Sequence, residues 1–388
     1  MKNILTLNSI SPVINDILDE KYNVASDLES PVAIMLRSFK MHDYVLDKNT
    51  IAIARAGAGT NNIPVDEYAK QGVVVFNTPG ANANAVKELV LCALFLGSRK
   101  IVDAIDWVKT LKGQGDEVGK LVEKGKSNFV GGEILGKKFG VIGLGAIGAQ
   151  VANSASKLGM QVYGYDPFLS VNNALKLSTQ VKVVKELDEI IKNCDYITLH
   201  IPYIASQNKG MINAGLLRKM KDGVVIINCA RGELVDNADM IKAVESNKVG
   251  RYICDFPSDE IIGVNNIICI PHLGASTPEA EDNCAVMAAK QLVDYIENGN
   301  VVNSVNYPSC ALPRSTPYRL TILHKNISNI LAQITGVVGK EGININNMTN
   351  QSKGDYAVTI LDVEKEVSEQ SIDHIASVEG IIRVRVIK

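Results

Sequence analysis

The sequence predicts an α/β protein built around a doubly wound parallel β-sheet, with a small ferredoxin-like domain at its carboxyl end. Three observations support this fold class. Between residues 139 and 270, short apolar runs alternate with helical stretches, which is typical of a parallel sheet with helices on both faces. A GxGxxG motif lies at the first strand-to-helix turn of this region. After residue 318 the predicted element order is βαββαβ, which is typical of a ferredoxin-like unit.

The elements follow in order along the chain. Before residue 95, the runs PVAIMLRS, IAIARAGAG and GVVVFNTPG each predict a β-strand that ends in a loop. The apolar-periodic segment 86–108 predicts one long helix. Strands are then predicted in FGVIGLG, QVYGYD, DYITLHIP, GVVIINCA, RYICDF and NIICIP. A helix from Pro278 should end at Gly299, a plausible C-cap, and the proline-rich segment that follows predicts a linker.

Composition excludes several classes of protein. A chain of 388 residues is too long for one ordinary core, so two or three domains are expected. Its formal net charge of −2 argues against nucleic acid or an anionic membrane as a partner. The seven cysteines form no CxxC pair, so we expect free thiols, no metal site and a cytoplasmic location.

The glycine motif predicts a dinucleotide site. Gly143 and Gly145 permit a tight turn and the close approach of a pyrophosphate, and Gly148 lets the next helix pack on the strand. The backbone N–H groups of Ala146 and Ile147 open that helix, where the helix dipole favours an anion. The alternative is a glycine turn that binds no ligand.

A carboxylate ends the next predicted strand and indicates which dinucleotide is bound. Asp166 stands where it would accept hydrogen bonds from the adenosine ribose hydroxyls. It would repel a 2′-phosphate, and no arginine follows it in YDPF to receive one. NAD is therefore predicted as the cofactor, in preference to NADP.

Polar side chains also follow three later strands of the predicted sheet. Arg231 follows one, Asp255 then Asp259 and Glu260 follow the next, and His272 follows the last. Because the carboxyl ends of parallel strands share one edge, these groups can converge beside a nicotinamide. Each alone has a structural explanation as an ion pair or a loop residue, but together they predict a catalytic site.

Hydride transfer from a hydroxyl-bearing carbon requires these kinds of side chain. His272 can take or give the hydroxyl proton, because histidine titrates near neutral pH. A carboxylate beside it holds the ring tautomer and favours its charged form. Arg231 can bind a substrate carboxylate by a charge-assisted hydrogen bond and polarise the carbonyl oxygen.

The chain resembles the D-isomer-specific 2-hydroxyacid dehydrogenases along most of its length. The matching segments are RAGAGTNNIP, FNTPGANANAVKELV, GVIGLGAIG, INCARGELVD and PHLGAST. The resemblance implies Arg231 and His272 as catalytic residues and Asp255 as a ligand of the nicotinamide carboxamide. The family's glutamate falls by spacing on Glu260, although the usual D-V-F-x-E-E-P is replaced by DFPSDEII, which leaves the adjacent Asp259 as an alternative.

The resemblance also implies the domain organisation. A Rossmann-type NAD-binding domain, residues 96–280, is expected within a flavodoxin-like substrate-binding domain formed by residues 1–95 and 281–306. A linker, 307–317, then leads to an ACT regulatory domain, 318–388.

Basic groups in the first domain suggest a doubly anionic substrate. Arg37 and Arg55 end predicted strands and match the family's phosphate-side groups, while the N–H groups of Ala58 and Gly59 would hold a carboxylate. The alternative is that both arginines are ordinary surface charges. The resemblance implies oxidation of 3-phosphoglycerate to 3-phosphohydroxypyruvate, the first step of L-serine biosynthesis.

The tail resembles an ACT domain, a module that commonly dimerises and binds amino acids. His324, Asn326 and Asn344 match residues that hold L-serine in serine-sensitive relatives, so the resemblance implies L-serine as an effector and a homodimer or homotetramer. A purely structural dimerisation module is the alternative. For the whole protein, the alternatives are a reductase of glyoxylate, hydroxypyruvate or 2-oxoglutarate and, from another class, an NAD-sensing binding protein.

Overall fold

The structure is a computed structural model that describes residues 1–388. The β-strands are β1 (Lys2–Leu7), β2 (Tyr22–Ala25), β3 (Ala33–Leu36), β4 (Ala52–Arg55), β5 (Val74–Phe76), β6 (Lys138–Ile142), β7 (Gln161–Tyr165), β8 (Lys182–Val183), β9 (Tyr196–Leu199), β10 (Val224–Asn228), β11 (Val249–Cys254), β12 (Ile267–Cys269), β13 (Tyr318–Lys325), β14 (Ile345–Lys353), β15 (Tyr356–Val363) and β16 (Ile381–Ile387). The α-helices are α1 (Val65–Lys70), α2 (Ala83–Ser98), α3 (Ile101–Lys109), α4 (Val118–Gly125), α5 (Ala146–Lys157), α6 (Val171–Ala174), α7 (Leu187–Asn193), α8 (Ala205–Asn208), α9 (Ala214–Lys219), α10 (Asn237–Glu245), α11 (Pro278–Asn298), α12 (Ile330–Lys340) and α13 (Glu369–Ser377). None of the helices combines the length and the apolar composition that crossing a bilayer requires.

The first compact unit comprises Met1–Asn82 and Glu281–Lys388. Its parallel sheet has the strand order β2-β1-β3-β4-β5, which is flavodoxin-like. The strands are apolar and buried, and small residues of α11, such as Ala285 and Ala289, let that helix lie close against them. Gly299 adopts φ 70° directly after α11, so the predicted C-cap is confirmed.

The second compact unit comprises Ala83–Ala280. Its parallel sheet has the order β12-β11-β10-β9-β6-β7-β8, and separate apolar cores cover its two faces. The strand order reverses between β6 and β9, and ligands of doubly wound sheets bind at the carboxyl ends of strands at such a point.

The tail forms an antiparallel sheet of order β14-β15-β13-β16, with the predicted βαββαβ connectivity. One face packs on α12 and α13, and buried residues of the other face belong to the core of the first unit. The predicted linker before it is held by a few buried side chains, since Tyr307 is 0% and Cys310 2% exposed, while residues 313–315 are exposed. The predicted fold class is confirmed, whereas the exact domain boundaries stay predictions.

One predicted element was wrong: the single helix over 86–108 is broken into α2 and α3. Gly97 lets α2 lie directly on Val225 and Ile253 of the sheet. At the break, the buried Arg251 donates a hydrogen bond of 3.4 Å to the carbonyl of Leu96 and forms an ion pair with Asp103 of α3. A sheet residue distant in sequence therefore stabilises the break between two helices that apolar periodicity alone would join.

Candidate active site

The glycine turn forms a tight, open bend at the end of β6. Gly143 has φ 92°, in the region that favours glycine, and its N–H donates to the Tyr165 carbonyl at 2.8 Å. A side chain at Gly143 would collide with the carbonyl of His200, and one at Gly148 with the carbonyl of Gly143. At Gly145 the corresponding space is open, so a ligand can approach the backbone there.

Helix α5 begins directly after this turn and presents unpaired donors. The N–H groups of Ala146, Ile147 and Gly148 belong to its first turn, which has no intrahelical partners, and no side chain caps the helix. Such a helix start favours an anion. The open turn and the uncapped helix therefore fit a dinucleotide pyrophosphate.

Asp166 lies at the end of β7, beside the glycine turn. Its Oδ2 accepts a hydrogen bond from the Leu144 N–H and its Oδ1 one from the Phe168 N–H, both at 2.9 Å. The carboxylate therefore helps to fix the turn. Each oxygen has a further lone pair, so the predicted contact with ribose hydroxyls stays open to the same group.

His200 also borders the glycine turn and was missed in the sequence. It follows β9, the neighbour of β6, and its Nε2 lies 3.0 Å from the Thr198 hydroxyl. Desolvation by burial lowers its pKa to about 3, so the ring is neutral at physiological pH and adds no positive charge for a phosphate. Its position directly after the apolar run DYITL was the available signal.

The predicted catalytic groups follow three neighbouring strands, β10, β11 and β12. The guanidinium of Arg231 lies 6.0 Å from the ring centre of Phe256, and the imidazole of His272 packs against the same ring, with the ring centres 4.8 Å apart and the planes inclined by 48°. Phe256 therefore contacts both predicted catalytic side chains. The sequence reasoning had not singled it out, although it directly follows Asp255.

Asp255 fixes the loop that carries His272. Its carboxylate is 1% exposed and accepts hydrogen bonds from the N–H groups of Leu273, at 2.7 Å, and Gly274, at 2.8 Å. Burial raises the pKa of Asp255, and these hydrogen bonds oppose that rise. Both oxygens already accept hydrogen bonds from backbone N–H groups, so the contact with the nicotinamide stays a prediction.

His272 itself has an unusual backbone conformation. Its φ is 55°, in the left-handed region, and its N–H donates to the Ile270 carbonyl at 3.0 Å. A residue other than glycine is held there at a cost of about 1–3 kcal/mol, and such residues cluster at functional sites. The imidazole is exposed, so a substrate can reach it.

The predicted carboxylate partner of His272 is not in place. Glu260 is exposed, and its Oε2 accepts a hydrogen bond of 3.1 Å from the amide of Asn237, which also donates to Ser258 at 3.1 Å. No hydrogen bond joins His272 to Glu260 or to Asp259. The pairing of histidine and carboxylate therefore stays a prediction.

In the first unit, Arg37 and Arg55 lie at the ends of adjacent strands β3 and β4. Arg37 forms an ion pair of 2.5 Å with Glu281. Arg55 donates to the side chain of Asn62 at 3.0 Å, and Asn62 donates to the Arg37 carbonyl at 3.2 Å. Asn62, which the sequence reasoning missed, thus braces the two strand ends.

The charges of the two guanidinium groups both influence the thiol of Cys284. Burial raises the pKa of the Cys284 thiol, and the positive charges of Arg37 and Arg55 both oppose that rise. The N–H groups of Ala58 and Gly59, just beyond β4, donate to no protein acceptor. Two cations and two unpaired donors fit an anionic ligand.

The three predicted effector residues of the tail do not meet within one chain. The imidazole of His324 is buried, with Nδ1 2.7 Å from the Lys325 carbonyl and Nε2 2.8 Å from the Thr359 hydroxyl. Asn326 is exposed just past the end of β13. Asn344 precedes Ile345, which the strand register places at the opposite end of the sheet.

Comparison with known proteins agrees with this geometry. Residues 91–274 match the family model of the D-isomer specific 2-hydroxyacid dehydrogenase, NAD binding domain. A D-3-phosphoglycerate dehydrogenase of Haemophilus influenzae is 32% identical over 349 residues, covering 87% of this chain and 81% of the relative. One from Archaeoglobus fulgidus is 35% identical over 269 residues, covering 68% of this chain and 48% of the relative.

The fold has a solved counterpart. The structure of NAD+-bound 3-phosphoglycerate dehydrogenase of Entamoeba histolytica superposes with a TM-score of 0.60 at 26% identity, covering 79% of this chain and 98% of that chain. With the glycine turn, the strand-end arginine and histidine and the parallel sheets described above, these similarities lead to one conclusion. The chain belongs to the D-isomer-specific 2-hydroxyacid dehydrogenase family.

Proposed function

We propose that this protein uses NAD to oxidise 3-phosphoglycerate to 3-phosphohydroxypyruvate, the first step of L-serine biosynthesis. The observation that carries the proposal is the pair formed by Arg231 and His272, both in contact with Phe256 at the sheet edge where doubly wound folds bind ligands. The names of the relatives support the choice of substrate.

In this proposal the second unit carries the proton chemistry. NAD, when bound, would accept the hydride, with its pyrophosphate at the start of α5 and its adenosine ribose at Asp166. His272 would accept the proton of the C2 hydroxyl, and Arg231 would bind the substrate carboxylate by charge-assisted hydrogen bonds. Asp255 keeps the histidine loop in position through the bonds to Leu273 and Gly274.

For the first unit we propose the binding of an anion. The donors are the guanidinium groups of Arg37 and Arg55 and the backbone N–H groups of Ala58 and Gly59. Glu281 already pairs with Arg37, so a phosphate would compete with that carboxylate. An exposed pair of this kind contributes little free energy, about 0–1 kcal/mol, so a dianionic phosphate can displace it.

The proposal is tested by initial rates of NADH formation with 3-phosphoglycerate, unphosphorylated glycerate and 2-hydroxyglutarate. The phosphorylated substrate should give the highest kcat/KM. The reverse assay, NADH oxidation with glyoxylate, hydroxypyruvate or 2-oxoglutarate, tests the alternative reductase. A higher kcat/KM for one of those acids would replace the proposed substrate, and no turnover with any of them would favour an NAD-sensing protein.

Asp166→Ala should weaken NAD binding about ten-fold to a hundred-fold, because a carboxylate that accepts ribose hydroxyls is lost. Binding of NADP should change less, so the ratio of the two dissociation constants moves toward NADP. Titration of both cofactors by nucleotide fluorescence measures this ratio. Asp166→Asn keeps an acceptor for the Leu144 N–H, so it separates the effect of losing the charge from the effect of disturbing the turn. An unchanged ratio in both variants would show that Asp166 does not contact the ribose.

If Glu260 is the charge partner of His272 during the reaction, Glu260→Gln should move the pH profile of the oxidation rate to lower pH, because a positively charged imidazole loses that partner. Asp259→Asn is the matched control, because it removes the same charge one residue away. If only the Asp259 variant shifts the profile, the assignment by spacing is wrong; if neither does, His272 works without a carboxylate partner.

Phe256→Leu should lower kcat roughly ten-fold to a hundred-fold, because small displacements of catalytic groups reduce the rate strongly. Phe256 contacts both Arg231 and His272, so it is a positioning residue. KM for NAD should stay within about two-fold, since the glycine turn is untouched. Phe256→Tyr keeps the ring and should retain most activity; equal losses in the two variants would contradict the positioning role.

For the tail we propose L-serine binding between two copies, in a homodimer or homotetramer. One chain presents Asn326 and Asn344 at opposite ends of its sheet, so a second copy is needed to bring them together. Burial lowers the pKa of His324, and both of its ring nitrogens already have protein hydrogen-bond partners, so the two asparagines are the accessible groups. Calorimetry of the full chain with L-serine should give heat that Asn326→Ala and Asn344→Ala each abolish; no heat at millimolar serine would leave a dimerisation module.

A further inference from the structure

The first compact unit contains a cleft that the proposed reaction does not use. Its volume is about 550 Å³, within the range of about 300–1,000 Å³ that small-molecule sites occupy. One face of α11 forms one side, and the segment after that helix, which includes Val302, forms the other. Polar and apolar side chains both line it.

A buried, unsatisfied amide belongs to one of the residues that line this cleft. Gln291 is only 8% exposed, and neither its Nε2 nor its Oε1 has a hydrogen-bond partner. Nearly all buried polar side-chain atoms in proteins are hydrogen-bonded, because leaving one unpaired is costly. An amide carries donors and acceptors, so the missing partner must offer both.

Two residues of opposite charge flank Gln291 in the sequence of α11. Lys290 lines the cleft, is exposed, and forms no ion pair. Asp294 also lines it; its Oδ1 accepts hydrogen bonds from Asn298 at 2.9 Å and Asn300 at 3.0 Å, while its Oδ2 accepts none. No ion pair joins Lys290 to Asp294, so each charge is available to a ligand.

We infer that this cleft binds a small zwitterion, an α-amino acid with a short apolar side chain. Lys290 binds its carboxylate, and the Asp294 Oδ2 accepts from its ammonium group. The Gln291 amide, whose polar atoms are covered in the free protein, turns toward the ligand to donate to the carboxylate and accept from the ammonium group. Val286 and Met287, which line the cleft, pack against the ligand side chain in this arrangement. The site lies in the parallel-sheet part of the unit and does not depend on the proposed function or on the serine site of the tail.

The test uses the full chain and L-alanine as the probe, since alanine lacks the hydroxyl of serine. Saturation-transfer NMR and calorimetry should detect L-alanine binding, and propionate and ethylamine, which each lack one charge, should bind at least about ten-fold more weakly. Equal binding of all three compounds would overturn the inference. So would the absence of L-alanine binding at 20 mM, a concentration that corresponds to a binding free energy of roughly −2 kcal/mol.

Variants locate the binding. Gln291→Leu keeps the side-chain volume and removes an unsatisfied amide, so it should fold at least as stably as the parent and bind L-alanine at least about ten-fold more weakly. Lys290→Met and Asp294→Asn should weaken it similarly. Asn326→Ala is the control, and binding should persist in it. Binding that is lost in Asn326→Ala and kept in Gln291→Leu would place the amino acid in the tail and contradict the inference, as would full binding in all four variants.

Discussion

His272→Asn should lower turnover by about two to four orders of magnitude while NAD affinity stays unchanged, because general acid–base transfer contributes roughly 10²–10⁴-fold. Asparagine suits this position. Like histidine, it tolerates the left-handed backbone that His272 adopts at φ 55°, so the loop held by Asp255 should keep its conformation. The decrease in turnover would then result from the absence of the imidazole and not from a change in the fold.

Steady-state rates with 3-phosphoglycerate and a direct titration of NAD measure the two effects separately. His42→Asn is a suitable control, since His42 is an exposed histidine of the other compact unit. Turnover of the His272 variant within a few-fold of the parent would remove this residue from proton transfer. A parallel loss of NAD affinity would indicate a disturbed cofactor site instead.

Arg319→Met should reduce the free energy of unfolding of the tail by about 3–5 kcal/mol, the cost of leaving a buried charge without its partner. Arg319 and Asp362 are both 0% exposed and form a bidentate ion pair, with Nε–Oδ1 at 2.6 Å and Nη2–Oδ2 at 3.0 Å. Arg319 also donates to the Asn298 carbonyl at 2.9 Å, so it ties β13 to the end of α11.

The pH dependence gives this prediction a sign. Burial alone would raise the pKa of Asp362, but hydrogen bonds from Arg319 and Ser315 outweigh it and hold the pKa below its ordinary value. In the parent, Asp362 therefore stabilises the fold above about pH 4, and this contribution is lost as the pH falls through its depressed pKa. In Arg319→Met the hydrogen bonds from arginine are lost, so burial raises the pKa of Asp362. The loss of stability relative to the parent should therefore become smaller as the pH falls and Asp362 is protonated.

Hydrogen exchange of β13 and β15 measures the local effect at several pH values. Arg218→Met, at an exposed arginine, should change stability by less than about 0.5 kcal/mol. The double variant Arg319→Met with Asp362→Leu should recover much of the loss, since a buried ion pair can be replaced by apolar side chains. A double variant as unstable as the single one would mean that the packing around Arg319 matters more than its charge.

The amino-acid sequence alone determined the architecture and the edge of the sheet at which the predicted catalytic residues lie. Short continuous apolar runs indicate buried strands, and the residues after each run must lie at the carboxyl edge of a parallel sheet. For this reason the sequence alone assigns Arg231, Asp255 and His272 to one edge. The spacing of Gly143, Gly145 and Gly148 predicted the turn, because glycine permits the positive φ of Gly143 and the close backbone contact at Gly148, and leaves open space at Gly145.

Only the tertiary structure decided which partner each side chain takes. Glu260 accepts a hydrogen bond from Asn237, Asp255 accepts hydrogen bonds from the histidine loop, and Phe256 contacts both predicted catalytic side chains. The same holds for the break between α2 and α3, which Arg251 bridges from a strand about 150 residues farther along the chain. Periodicity reports which face of an element is buried, but hydrogen bonds depend on distances between segments remote in sequence, and those distances exist only once the chain has folded.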